Sequence, residues 1–340
     1  MSLREKLPLS EKAKNHFCPL PFLQMTLKTE GEICPCCLQQ DYILGRIQTQ
    51  NISEIWNAKP MKELREEFLS GEIKTCKNRI DQLSCHKNYE RFLPDIDFVP
   101  EQTKLPVRLD LRLDHRCNLR CIMCDLHLHP DSPYHEDNFW QDLRKMAPGL
   151  NEIEILGGEP FFQKITTQLI DEVTRINSHC LWTITTNLNF DFSSVVKPLL
   201  DKIPLRTITV SIDSFDEDTY KHIRRGGDLQ LLKKSLFELI DYRKSRSGTT
   251  LGGFKITGSM CVLNNNWREV PSFIDTCLEV GIHPCLIYVV YPPQLSINNL
   301  SQVEKENILS YLLDFCDEKR TSYIRRILWG IQHGLDYLSE

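Results

Sequence analysis

From Val107 onward the chain alternates short, β-branched apolar runs with longer segments of helical periodicity. The strand-like runs are Val107–Leu113, Glu152–Leu156, Trp182–Thr186, Thr207–Ile212, Phe254–Cys261 and Cys285–Val290. Strands separated by helical segments of this length predict right-handed βαβ crossovers and a parallel sheet. Six such units predict a partial barrel. Beyond Tyr291-Pro-Pro293, amphipathic patterns over Val303–Phe315 and Tyr323–Leu338 predict helices that cover an open edge of the sheet.

The first hundred residues have a different texture. An apolar strand over Phe22–Leu27 is followed by a turn at Thr29-Glu30-Gly31 and a Cys-rich return. Ser53 is expected to cap a helix through Ile55 and Trp56, and a second helix over Met61–Leu69 is stopped by Gly71. The stretch Pro94-Asp-Ile-Asp-Phe-Val-Pro100 reads as a linker. These boundaries predict a small Cys-rich α+β unit over 1–93, a linker over 94–104, an α/β barrel over 105–293 and covering helices over 294–340.

Composition adds less than pattern until the cysteines are counted. The 340 residues are 41% apolar and 26% charged, ordinary for globular chains. No apolar run approaches the ~20 residues needed to span a bilayer, and Met1-Ser-Leu-Arg-Glu-Lys6 lacks an apolar signal region. A cytoplasmic location without a membrane partner is therefore expected. The net charge of −5 comes without a dense Lys/Arg block, which argues against a nucleic-acid partner.

Fourteen cysteines change the picture, because in a reducing compartment clustered Cys more often mean metal than disulfide. Cys18, Cys34, Cys36, Cys37, Cys76 and Cys85 crowd the first 85 residues. Cys180, Cys261, Cys277, Cys285 and Cys316 are scattered singly through apolar surroundings and read as small core hydrophobes. Cys117, Cys121 and Cys124 form a tight set just after a predicted strand. Three thiolates so spaced fill three corners of an iron–sulfur cubane and leave the fourth iron open to a small chelating molecule. The competing reading is a zinc site completed by His115, His127 or His129.

The stretch from Leu113 to Cys124, Leu-Asp-His-Arg-Cys-Asn-Leu-Arg-Cys-Ile-Met-Cys, resembles the cluster loop of the radical S-adenosylmethionine (SAM) superfamily. Leu156-Gly-Gly-Glu-Pro160 looks like the same family's glycine-rich segment, Thr186-Asn187 ends the third strand as in the family, and Ser211-Ile-Asp213 ends the fourth. The resemblance implies a partial (β/α)6 barrel, a SAM-binding [4Fe–4S] cluster on Cys117, Cys121 and Cys124, and reductive SAM cleavage to a 5′-deoxyadenosyl radical. It places Met123 near the adenine and Gly157, Gly158 and Glu159 at the SAM amino group. It brings Asn187, Ser211, Asp213 and Arg224 to the rest of SAM, with Asn264 and Asn266 as further approaches.

Cys18, twelve residues, Gly31, four residues and Cys36 resemble the opening of SPASM or twitch domains, supported by Leu44-Gly-Arg-Ile47 and Ile52-Ser-Glu-Ile-Trp-Asn57. Cys76 and Cys85 would complete four ligands, with Cys37 or Cys34 as substitutes. The full SPASM pattern wants Cys near Arg79 and Tyr89, and neither is present, so one auxiliary [4Fe–4S] cluster is expected. A zinc ribbon using the same thiols, or His86, is the alternative.

Relatives with such domains often modify peptides, which implies hydrogen-atom abstraction from a peptide or small-molecule substrate, fed by a flavodoxin- or ferredoxin-type electron donor. Dehydrogenation or rearrangement of a sugar, alcohol or nucleoside is an alternative within catalysis. A non-catalytic iron–sulfur carrier is the alternative outside it. Cys261 and Cys285 lie on predicted strands as candidate hydrogen-atom donors, and His127-Leu-His129 reads as a solvated loop.

Overall fold

The computed structural model describes residues 4–76, 89, 91–94, 96–125, 132–135, 137–248, 251–315 and 317–333. Its strands are β1 (Gln24–Leu27), β2 (Glu32–Cys34), β3 (Gly45–Arg46), β4 (Arg108–Leu111), β5 (Glu152–Ile155), β6 (Leu181–Thr186), β7 (Leu205–Ser211), β8 (Lys255–Val262) and β9 (His283–Tyr288). They form one sheet in the order β3-β2-β1-β4-β5-β6-β7-β8-β9. From β4 to β9 each strand is parallel to the one before it. All six strands predicted from sequence are present, with bounds within two residues of expectation.

Strands added one after another on the same side, with crossovers of one hand, put the crossover helices on the same face of the sheet. That face is apolar: Leu109, Leu111, Ile153, Ile155, Trp182, Ile184, Ile208 and Val210 are all buried there. The alternate positions turn inward, and they are polar. Glu154, Thr183, Thr185, Thr207, Thr209 and Ser211 are half-buried on the inner face. A closed barrel fills this space with branched aliphatics; here it is lined by hydroxyl and carboxyl groups.

The Cys-rich unit joins this sheet. β1 lies parallel to β4, with Thr26 opposite Asp110, while β2 and β3 continue antiparallel. The segment read as a linker is strapped down: Trp56 Nε1 donates to the Lys104 carbonyl at 2.8 Å, and Asn57 exchanges two hydrogen bonds with Gln102 at 2.8 and 3.0 Å. The first helix of that pair spans Ile52–Trp56 and is capped by Asn51, not Ser53. Asn51 wins because Glu54 stands three residues on and closes a capping box. The second runs Lys59–Ser70 and ends at Gly71, whose φ of 78° is a left-handed C-cap. Helices Gln302–Asp314 and Glu318–His333 follow the barrel, and the latter packs against β9.

Arg65 is the hub of the N-terminal unit. It is fully buried, donates to the carbonyls of Pro21, Trp56 and Pro100 and to Asn57 Oδ1 at 2.7–3.0 Å, and lies 4.2 Å over the Trp56 ring. Arg65→Ala strands several buried acceptors and is expected to lower unfolding free energy by about 3 kcal/mol. Urea titration checks this; a loss below about 1 kcal/mol refutes the hub assignment.

Candidate functional site

The loop after β4 carries Cys117, Cys121 and Cys124, all half-buried. Its entry is braced by Asp114, which accepts the Arg116 backbone N–H at 2.8 Å and pairs with the Arg116 guanidinium. Further along, Arg120 N donates to the Arg225 carbonyl and Ile122 N to the Ile223 carbonyl, both at 2.9 Å. The loop is thus paired to segment 223–225 much as a strand would be. Ile122 and Met123 pack with Ile223, Leu263 and Val289 in a small apolar cluster.

The opposite flank is the turn after β5. Gly157 and Gly158 have φ of 92° and 52°, a region that favours glycine. A Cβ on Gly158 would sit 2.5 Å from the Arg116 carbonyl oxygen and 2.7 Å from that of Asp114. Only glycine lets the two backbones approach this closely. Glu159 N then donates to the Arg116 carbonyl at 2.9 Å, and Gln163 Nε2 donates to the carbonyls of Asp114, Arg116 and Gly157 at 2.9–3.2 Å.

Glu159 is buried, and both its oxygens are used by protein donors. Oε1 accepts from Thr186 Oγ1 at 2.7 Å and Phe161 N at 3.1 Å, and Oε2 from Asn187 N at 2.7 Å. What this residue offers a ligand is therefore backbone. Burial pushes its carboxyl up to about 7, against those three donors. Asn187, fixed in this way, donates to Asn118 Oδ1 at 2.8 Å and lies 3.7 Å from Cys117 Sγ.

Asp213 follows β7 with a φ of 64° and is fully buried. Its Oδ1 accepts the Cys261 N–H at 2.7 Å, and its Oδ2 pairs with Arg224 Nη2 at 2.8 Å. Arg224 reaches on to Cys121 Sγ at 3.7 Å, while its buried Nε has no hydrogen-bond partner. Burial pushes the Cys121 thiol up to about 11, and the Arg224 charge opposes this by favouring thiolate. Ser211 ends β7 opposite Ser259. Asn266 is occupied elsewhere, donating to the Asp213 and Cys261 carbonyls, and Asn264 ties to Gln294.

Two cavities flank this arrangement. One, of about 560 Å³, is lined by Asn118, Arg120, Cys121, Cys124, Arg225 and Gly226. The other, of about 610 Å³, lies between the Cys-rich loop and the barrel mouth, with Cys37, Gln40, Met123, Cys261, Ile287 and Tyr291 among its walls. In the N-terminal unit Cys18 and Cys76 are buried, and Cys36 is close enough to Cys37 and Cys76 for their charges to act on it. Cys34 instead pairs in register with Thr26 and so faces the inner side of the sheet. Cys85, His86, His127, His129 and Cys316 lie outside the described residues. Among the described residues, no three His, Cys, Asp or Glu are gathered about a point that would hold a single metal ion. A cubane asks for something else, thiolates spread over the faces of a whole cluster. The unpartnered Arg224 Nε, and a cavity walled by Cys121 and Cys124 with Cys117 on the same loop, suit a cluster with a chelating ligand.

Asp114, Asn118 and Gln163 carry no signal in the sequence beyond proximity to the motifs, because their roles arise only when the two loops meet. Gly158→Ala combines left-handed strain with a backbone collision and is expected to cost about 2–3 kcal/mol and most of the reconstituted iron, read by thermal melting and iron assay. Glu159 adds a pH dependence. A folded-state value near 7, above the unfolded ~4.3, gives stability that is complete below ~4.3 and is lost as pH rises through about 7. Melting temperatures across this window should fall more steeply for the native protein than for Glu159→Gln; parallel slopes refute the assignment.

Residues 113–275 match the radical SAM superfamily, and residues 18–82 match SPASM, an iron-sulfur cluster-binding domain. Curated relatives include a GTP 3′,8-cyclase of Clostridium botulinum, 33% identical over 137 residues, covering 38% of this chain and 41% of the relative. Another, from Petrotoga mobilis, is 27% identical, covering 57% of this chain and 58% of the relative. The chain thus spans less than two thirds of either relative's length. Similar solved structures include SuiB of Streptococcus suis bound to SAM, at 18% identity and a TM-score of 0.44, covering 75% of this chain and 56% of that one. Also similar is anSMEcpe with bound SAM and a peptide, at 18% identity and a TM-score of 0.46, covering 62% and 60%. The two matched domains imply [4Fe–4S] clusters as cofactors, and among the described residues no helix is long and apolar enough to cross a membrane. The chain carries a radical SAM domain over residues 113–275, with a SPASM domain over residues 18–82 ahead of it.

Proposed function

We propose that this protein reductively cleaves SAM at a [4Fe–4S] cluster held by Cys117, Cys121 and Cys124 and abstracts a hydrogen atom from a peptide substrate. The observation that carries this reading is the pinning of the three-thiol loop on both flanks, by Gly158 and Gln163 on one side and by residues 223–225 on the other. The cluster with SAM supplies the radical chemistry; the protein supplies position, charge and shelter.

The turn at Gly157 and Gly158 would offer backbone to a ligand's amino group, and Glu159 holds that turn to Asn187. Arg224, braced by Asp213, offers its guanidinium to a carboxylate, and its charge favours the thiolate form of Cys121. Met123 and its apolar neighbours provide a face for the adenine. Ser211, at the end of β7, is placed for a ribose hydroxyl. In the N-terminal unit, Cys18, Cys36 and Cys76 with Cys85 hold the auxiliary cluster. Cys37 and Cys34, both near Asp110 and Arg112, are its substitutes. A flavodoxin- or ferredoxin-type protein of the cytoplasm supplies the electron.

The peptide substrate is supported by the SPASM match and by the roomy cavity between the Cys-rich loop and the barrel mouth. A nucleotide is the second reading, favoured by the GTP 3′,8-cyclases among the relatives. Anaerobic, reduced protein incubated with peptide fractions or with GTP separates them by which raises 5′-deoxyadenosine formation. Cys117→Ala, Cys121→Ala and Cys124→Ala should each abolish that product, whereas Cys180→Ala, in the buried core, should retain it. Retained cleavage in any of the first three overturns the proposal.

A further inference from the structure

Strand β4 alternates, so Arg108 and Asp110 face the inner side of the sheet, and Arg112 continues the same row just past the strand end. Arg108 is fully engaged, with Glu152, Glu154 and Gln24 around it. The other two are not. Asp110 is 2% exposed; its Oδ2 accepts from Thr26 Oγ1 at 3.1 Å, but its buried Oδ1 has no hydrogen-bond partner. Arg112 donates from Nη1 to Gln40 Oε1 at 3.2 Å, and its buried Nε has no partner. Burial raises the Asp110 carboxyl and the nearby Arg112 charge opposes that rise, so the two groups sense each other.

A buried acceptor and a buried donor left unmade two residues apart on one row of the sheet are costly, and a ligand that fills both would relieve that cost. Arg112 sits between the two parts of the site. Its stem packs against Gly157, where a Cβ would lie 3.1 Å away, and its partner Gln40 lines the 610 Å³ cavity with Cys37, Met123 and Cys261. Gln40 also donates to the Cys37 carbonyl at 2.8 Å, which fastens the Cys-rich loop to this arginine.

The charges limit what fits. Arg112 and Asp110 balance, so a lone carboxylate would set a second negative charge against Asp110, and a lone ammonium would oppose Arg112. A residue of an extended peptide presents one N–H and one C=O on the same side and carries no charge. We infer that Asp110 and Arg112 form a substrate subsite that binds one backbone unit of an extended peptide, its N–H to Asp110 and its C=O to Arg112. This rests on the proposed function and names how that site would grip its substrate.

The test uses the reconstituted protein with SAM bound. A pool of N-acetylated, C-amidated tripeptides, the same tripeptides N-methylated on the backbone, and free amino acids are each equilibrated with it. Retained molecules are counted by mass spectrometry per bound SAM. Capped tripeptides should be retained, and N-methylation should reduce retention at least about tenfold. Arg112→Gln should do the same, and so should Arg112→Lys, which keeps the charge and loses the planar fork. Equal retention by both variants, indifference to N-methylation, or no retention of capped tripeptides by SAM-loaded protein each overturns the subsite. Retention of free amino acids in their place overturns the peptide assignment. Failure of the native protein to hold SAM is a different result, seen before any peptide is added, and counts against the proposed function instead.

Discussion

The arrangement of the site depends on one close approach of backbone to backbone. The Arg116 carbonyl oxygen, at the start of the three-cysteine loop, receives both the Glu159 N–H and the Gln163 side-chain amide. That convergence exists because residue 158 has no Cβ and adopts a left-handed φ. From the same point Glu159 extends to Asn187, and Asn187 to Cys117 and Asn118. Three strand ends are therefore locked together through a single carbonyl and a single buried carboxyl.

The other side of the loop is held by charge and by paired backbone. Arg224 stands between a buried carboxylate and a thiol, so its own desolvation is offset by partners on both sides. The resulting pocket is rigid where a cofactor needs orientation. It opens toward the barrel mouth into a cavity of about 610 Å³. The inner face of β5 to β7 is rich in hydroxyl and carboxyl groups, which sets this sheet apart from barrels whose interiors serve only as cores.

Much of this was legible beforehand, for physical reasons. The six parallel strands announce themselves because β-branched runs such as Trp182–Thr186 and Thr207–Ile212 are local signals. The triplet at 117, 121 and 124 is legible because thiol spacing is itself the chemistry. The cap at Asn51 was equally readable, since Glu54 three residues on completes the box, and Ser53 drew attention only as another polar residue. The pairing of β1 with β4 was not readable: Gln24–Leu27 is short, its partner lies 84 residues away, and nothing local distinguishes parallel addition from an isolated hairpin. Nor was the work of Gln163, whose three acceptors are gathered only by the fold.

That pairing of β1 with β4 has a mechanical consequence. Cys18 precedes β1, which pairs directly with the strand leading into Cys117, and Cys36 follows β2, which pairs with β1 in turn. The spacing between the two cysteine-bearing regions is thus set by strand register, in steps of a residue, and not by the length or stiffness of a tether. A slip of one residue would turn Thr26 and Asp110 to opposite faces. The distance between the two cysteine-bearing regions is a property of the sheet.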